Sequence, residues 1–274
     1  MRRTYVIPIA IVIFVVAISY VISIGGIGPL PFSGTRLLAQ IYLYTTYNPS
    51  IPNLTVAAPE AVTAIVWDYR GLDTLFETSV MFLAIISALT LFRGIELPVS
   101  QSDEDKGMSI IAKTVTRIIL PMILVVAASL GFHGHLTPGG GFQGGATAAV
   151  ASLLIVVIFS VYFLSKRLSI NTAILMRSLG LLGIGIATFL VLVIGIMMGV
   201  PAYIFQNQPK FLAPVGLPSI IGNGDIITGG TLLIFNISET FAVFMGFSAL
   251  FLLLFSPEES IRKVIEKEML TEGE

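Results

Sequence analysis

Three places in this sequence set charged or hydrogen-bonding residues among long apolar runs. The first is Asp68-Tyr69-Arg70-Gly71-Leu72-Asp73-Thr74-Leu75-Phe76-Glu77, where Arg70, Asp73 and Glu77 recur at i, i+3 and i+7 and share one stripe of a helix. Glu77 lies roughly 9 Å into that helix at about 1.5 Å per residue. A carboxylate inside a bilayer costs several kcal/mol unless it is paired or hydrated, so Glu77 reads as an ion- or proton-handling group. For Asp68, Arg70 and Asp73 a plainer reading stands beside it: an ion-pair cluster at the membrane boundary, next to Trp67, that pins the depth of the helix.

The second place is Phe235-Asn236-Ile237-Ser238-Glu239-Thr240. Glu239 falls roughly 13 Å into an apolar segment, near the middle of a hydrocarbon layer about 30 Å thick. Asn236 and Thr240 share its face and could ligate a cation or hold water. Glu239 is therefore a candidate to exchange a proton or Na+. The alternative is a protonated side chain hydrogen-bonded to a neighbouring subunit. Asp225, in the preceding loop, reads as solvated.

The third is the run from Gly131 to Gly145, GFHGHLTPGGGFQGG. Gly139, Gly141 and Gly144 form a literal G-x-G-x-x-G, but a dinucleotide loop needs a strand before it and an acidic residue after it. Glycines four apart, Gly140 with Gly144 and Gly141 with Gly145, instead let helix backbones approach closely. His133 and His135 are the only histidines, too few ligands for a metal site. They either exchange protons near the outer surface or hydrogen-bond an irregular loop around Pro138. Lys113 and Arg117, one turn apart, read as snorkelling anchors, or one of them pairs with an acid on a partner helix.

These residues need helices to position them, and the composition supplies membrane helices. Hydrophobic residues make up 55% of the chain and charged ones 11%, against roughly 25% charged in soluble domains. Six segments are long enough to span: 5–27, 71–92, 111–132, 142–165, 176–199 and 230–255. Their runs are continuous and do not alternate, which argues against a β-barrel. With the N-terminus inside, twelve basic residues fall on the inner side, Arg177 among them. Three, Arg36, Arg70 and Lys210, fall outside. The expected fold class is an all-α polytopic membrane protein with six transmembrane helices and both termini cytoplasmic.

Arg2 and Arg3 before an apolar run this long predict an uncleaved first helix and not a signal peptide. Residues 28–66 read as an outer loop with a short helix near 59–68, and 200–228 as a stiff, proline-rich one. The polar stretch 100–107 marks a boundary between a two-helix unit (1–99) and a four-helix unit (108–256). A capped amphipathic tail follows at 257–274. With no cysteine, disulfides and thiolate-bound metal clusters are excluded within the chain. A net charge of −1 and the lack of a basic run give no sign of nucleic-acid binding. No internal repeat is evident, which argues against a self-sufficient inverted-repeat transporter.

The run His-Gly-His-x-x-Pro-Gly-Gly-Gly-Phe-x-Gly-Gly at 133–145 resembles the signature of the B subunit of Mrp-type, multisubunit Na+/H+ antiporters (MnhB-like). Asp-x-Arg-Gly-x-Asp-Thr-x-x-Glu at 68–77 resembles the C-terminal part of the A subunit. In archaeal membrane-bound hydrogenase and sulfane reductase complexes that part is similar to a small separate subunit, so the chain looks like a fusion of the two. The resemblance implies a small all-α subunit in the cell membrane, packed in the lipid bilayer with A-, C-, D-, E-, F- and G-like subunits. A hydrogenase-like peripheral arm joins them where the module is redox-driven. It implies Na+ and H+ as transported ions, no cofactor in this chain, and no enzymatic activity of the chain by itself.

By position, Asp73 and Glu77 match the family's acids, and His133, Pro138 and the glycines match its loop. Where many B subunits carry Phe-Asp-Ile-Gly, this chain has Phe235-Asn236-Ile237-Ser238, and the charge follows three residues later at Glu239. Three functions follow from these readings: an ion-pathway subunit, a structural scaffold of the same complex, or an independent secondary transporter.

Overall fold

Within a bilayer each backbone N–H and C=O must be satisfied inside its own segment, and the long apolar runs of this chain accordingly form long helices. A computed structural model describes residues 2–26, 34–51, 54–92, 107–218, 229–258, 260–262 and 266. The acidic part of the expected linker (100–106), Asp225 and most of the expected tail helix lie outside the described residues.

The helices are α1 (Arg2–Ser23), α2 (Leu37–Thr46), α3 (Ala61–Ala64), a π-helical turn (Ile65–Tyr69), α4 (Gly71–Leu91), α5 (Ile110–Phe132), α6 (Gly141–Ile158), α7 (Val161–Ser165), α8 (Ile170–Met198) and α9 (Thr231–Leu254). Five of them, α4, α5, α6, α8 and α9, are long and apolar enough to cross a membrane. In α1 the described apolar stretch, Pro8–Ser23, is shorter. The chain divides into two compact units, 1–41 and 42–274. The first contains α1, whose described side chains are exposed along its length.

In the second unit α9 is central. It packs against α8 on one side and α6 on the other; α5 packs on α6, and α4 reaches α9. Glycines allow this closeness. An added Cβ on Gly144 would stand 2.8 Å from the Gly131 Cα of α5, and one on Gly145 would stand 2.7 Å from the Thr240 carbonyl of α9. The four-residue glycine spacing therefore sets two faces of α6 against two neighbours, as that spacing predicts.

Four local details differ from the sequence reading. Leu37–Thr46 is helical where an outer loop is expected. The fourth span stops at Ile158, because the Met108 N–H binds the Ile158 carbonyl and Ser160 starts a new turn by accepting from the Phe163 N–H. The fifth span begins at Ile170, not near 176, since Ser169 caps it through the Thr172 N–H. Arg177 therefore lies two turns inside α8, buried, and not at the inner edge of the span. Trp67 is not at the membrane boundary: it is fully buried and stacked on Phe235 at 4.3 Å between ring centroids.

Replacing Gly144 with Leu should break the α5–α6 contact at a cost of about 1–3 kcal/mol or more. A fall in the midpoint of thermal unfolding in detergent would show it, and an unchanged midpoint would refute the close approach.

Candidate functional site

The loop 133–140 is tied down from above by the segment leading into α4. The Glu60 N–H donates to the His135 carbonyl at 3.1 Å, and the Thr63 hydroxyl donates to the Gly134 carbonyl at 2.6 Å. Gly140, at φ +143°, adopts a conformation open to glycine and turns the chain into α6. Two long-separated parts of the sequence, 60–81 and 139–143, are thereby brought to the same side of α9. Between them lies a cavity of about 290 Å³ whose polar lining includes Glu77, Glu239, Asn236, Gln143, Thr74 and Thr78. That volume holds several waters.

Glu239 is buried beneath the start of α6, so close that a Cβ on Gly141 would meet its side chain at 2.5 Å. No side chain of α6 caps the helix, and the Phe142 N–H donates to the Glu239 carboxylate instead. The carboxylate thus meets the positive end of the α6 dipole. Asn236, one turn earlier, is fully buried, and neither its Oδ1 nor its Nδ2 has a hydrogen-bond partner. Unpaired amide atoms lining a cavity are free to meet an ion or water. Thr240 shares the face but turns away from it. Its hydroxyl donates to the Asn236 carbonyl at 2.7 Å and lies 3.2 Å from the Gly141 carbonyl.

Glu77 has two sides. It lines the cavity with Glu239, and it also lines an open groove along α4 with Arg70, Asp73, Phe76 and Val80. The Arg70, Asp73 and Glu77 stripe expected from the spacing is therefore present. Arg70 and Asp73 form an exposed ion pair, with Arg70 Nε donating to Asp73 Oδ2 at 2.6 Å. Such a pair contributes little to stability.

Asp68 departs from that cluster. The π-helical turn directs it inward, where Lys210 Nζ lies 2.5 Å from Oδ2 and the Asn207 N–H donates to Oδ1 at 3.1 Å. Asn207 itself binds the Val56 carbonyl and the Thr231 N–H and hydroxyl. Four segments meet at this knot. Burial pushes the Asp68 carboxyl above its ordinary value, while Lys210 and the Asn207 N–H oppose the rise. Tyr69, stacked on Tyr42 and sharing a hydrogen bond with Thr45, is pushed up to about 12, chiefly by burial.

The remaining expected residues lie elsewhere. His133 is exposed at the end of α5, and His135 is buried with its ring beside Gly229. Neither lines the cavity. Pro138 is exposed; Gly139, Gly140 and Gly141 line the cavity, while Gly144 and Gly145 serve helix packing. Lys113 is half-buried near the start of α5, and Arg117 lies over the Phe159 ring at 5.7 Å. Arg177 escaped the sequence reading because it counted as an inner-side cation at the edge of the fifth span. The Ser169-Ile170-Asn171-Thr172 start signal was the clue that it lies deeper inside that helix.

The architecture is that of an all-α polytopic membrane protein with a polar cavity enclosed among its helices. Residues 111–249 match the family model of a domain related to the MnhB subunit of Na+/H+ antiporters, and the chain belongs to that family. An uncharacterized protein of Methanocaldococcus jannaschii is 29% identical over 229 residues, which cover 77% of this chain and 82% of that protein. Among solved structures, the fold is similar to a chain of the membrane-bound sulfane sulfur reductase, an archaeal respiratory membrane complex. There the TM-score is 0.60 at 24% identity, over 92% of this chain and 99% of that one. It is also similar to part of a chain of the Mrp complex from a Dietzia species. The TM-score is 0.53 at 19% identity, over 93% of this chain and 26% of that one.

Lys210→Met should destabilise the protein by roughly 3 kcal/mol, because it leaves a buried carboxylate without its cation. The double change with Asp68→Asn should recover part of that loss. A folded-state value raised above the unfolded one gives stability that is present at low pH and lost as pH rises. Lys210→Met should therefore gain on wild type as pH falls from about 7 to about 5, as thermal unfolding at each pH would show.

Proposed function

We propose that this chain is a subunit of an Mrp-like antiporter-type membrane complex and that it supplies a cation-handling cavity to that complex. The observation that carries the reading is a cavity lined by both Glu77 and Glu239, with the unpaired amide of Asn236 beside them. Two carboxylates lining one cavity in a low-dielectric setting need positive charge beside them, either a proton or a monovalent cation. Exchange of one for the other is the elementary act of a Na+/H+ antiporter. The Asp73 and Glu77 groove on α4 leads away from the cavity to an exposed helix face, where another membrane subunit would continue the path. Both termini lie on the cytoplasmic side in this reading, and the A-subunit-like motif at 68–77 contributes Glu77 to the cavity. The chain moves Na+ only together with its partners.

A structural role for Glu239 has its own support, since the carboxylate receives the Phe142 N–H at the start of α6. Glutamine separates the two roles, for it keeps an acceptor oxygen and removes the exchangeable charge. Glu77→Gln and Glu239→Gln should each reduce Na+-driven proton exchange in vesicles to background while the complex keeps its native mass. Asn236→Leu should raise the half-saturating Na+ concentration about tenfold, equivalent to about 1.4 kcal/mol. Full exchange by both glutamine variants would leave only the scaffold role.

A further inference from the structure

Arg177 is a buried cation inside the helix bundle that the proposed function does not use. It is 3% exposed, and its Nε and Nη1 have no hydrogen-bond partner. Its guanidinium lies over the Phe82 ring of α4 at 4.3 Å, and its side-chain carbons stand where a Cβ on Gly246 of α9 would touch them. Phe82 and Gly246 belong to the two helices that carry Glu77 and Glu239. Gly246 follows Glu239 by two turns on the same stripe, roughly 10 Å further along at about 1.5 Å per residue. Phe82 follows Glu77 by five positions. Ile85 completes the packing, since a Cβ on Gly246 would meet its Cδ1 at 2.6 Å. Along the α4–α9 seam Val243 and Met81 line the two-carboxylate cavity, and one to four residues further along the two helices lies a guanidinium framed by Phe82, Ile85 and Gly246.

We infer that Arg177 is an electrostatic plug closing the inner end of the cavity to cations. The inference rests on the cation-handling reading above. An arginine in a low-dielectric passage repels cations and protons strongly, a device used in selective pores. Its charge has no acceptor at Nε or Nη1, so its field is not cancelled there. Phe82 holds it by its face, which keeps the charge in place. An ion exchanging with Glu239 then leaves past Glu77 into the α4 groove, towards the partner subunit, and does not run through this chain to the cytoplasm. The plug forces coupling, because the direct route would be an unpaired leak.

The test compares passive Na+ leak in vesicles containing the assembled complex. Arg177→Gln should raise the leak at least tenfold, and Arg177→Lys, which keeps the charge, should restore tightness. Tight vesicles with Arg177→Gln overturn the plug. The cation-handling reading would stand in that case if Glu77→Gln and Glu239→Gln still abolish exchange, and would fall if they do not.

A second measurement serves should Arg177→Gln fail to assemble. The chain has no cysteine, so a thiol introduced as Ile85→Cys can be tested with cationic and anionic methanethiosulfonates of matched size. Reaction with the anionic reagent together with protection from the cationic one supports the plug. A cationic rate equal to or above the anionic rate, or no reaction with either reagent, which would show closure by packing alone, refutes it.

Discussion

The approach of backbone to backbone around α6 is the constraint on which this protein depends. Gly141, Gly144 and Gly145 allow α6 to meet Glu239, α5 and α9 with no side chain of its own between them. In a bilayer no hydrophobic effect pulls helices together, so van der Waals contact at small residues must do so. The same closeness sets the α6 N-terminus over Glu239 and lets an acid on another helix satisfy an N–H that α6 cannot cap itself. Packing and charge placement are one event here.

A second device works beside it. The Asp68–Lys210 pair and the Asn207 hydrogen bonds join the π-helical turn, residue 56, the 200–218 loop and the start of α9. Trp67 stacked on Phe235 adds apolar burial to the same junction. A π-helical turn displaces side chains from the ordinary helical register, and such turns concentrate at functional sites. In this one the displacement sends Asp68 inward while Arg70 and Asp73 stay on the outer stripe. Glu77 can then face both the cavity and the open groove.

Much of this was legible in the residues. Apolar runs gave five membrane-long helices, with ends right to about a residue except at the close of the fourth span and the start of the fifth, because span length is set largely by the bilayer. The stripe of Arg70, Asp73 and Glu77 followed from helical periodicity, and the glycine pairs from their spacing. What periodicity could not show was long-range pairing. Asp68 was grouped with Arg70 because they are neighbours in sequence, yet its partner is 142 positions away. Trp67 was set at the membrane boundary on residue type, while its burial depends on Phe235. Thr240 shares Glu239's helix face, but its hydroxyl is taken up by nearby carbonyls, a competition that sequence does not reveal. Arg177 was misplaced by a helix start six residues too late.

That the two distant carboxylates share one ion is the central claim, and anomalous diffraction from crystals of the assembled complex equilibrated with thallous ion tests it most directly. A peak within the cavity between Glu77 and Glu239, displaced by excess Na+, is the predicted result. Thallium bound elsewhere in the complex, with this cavity empty, would contradict it.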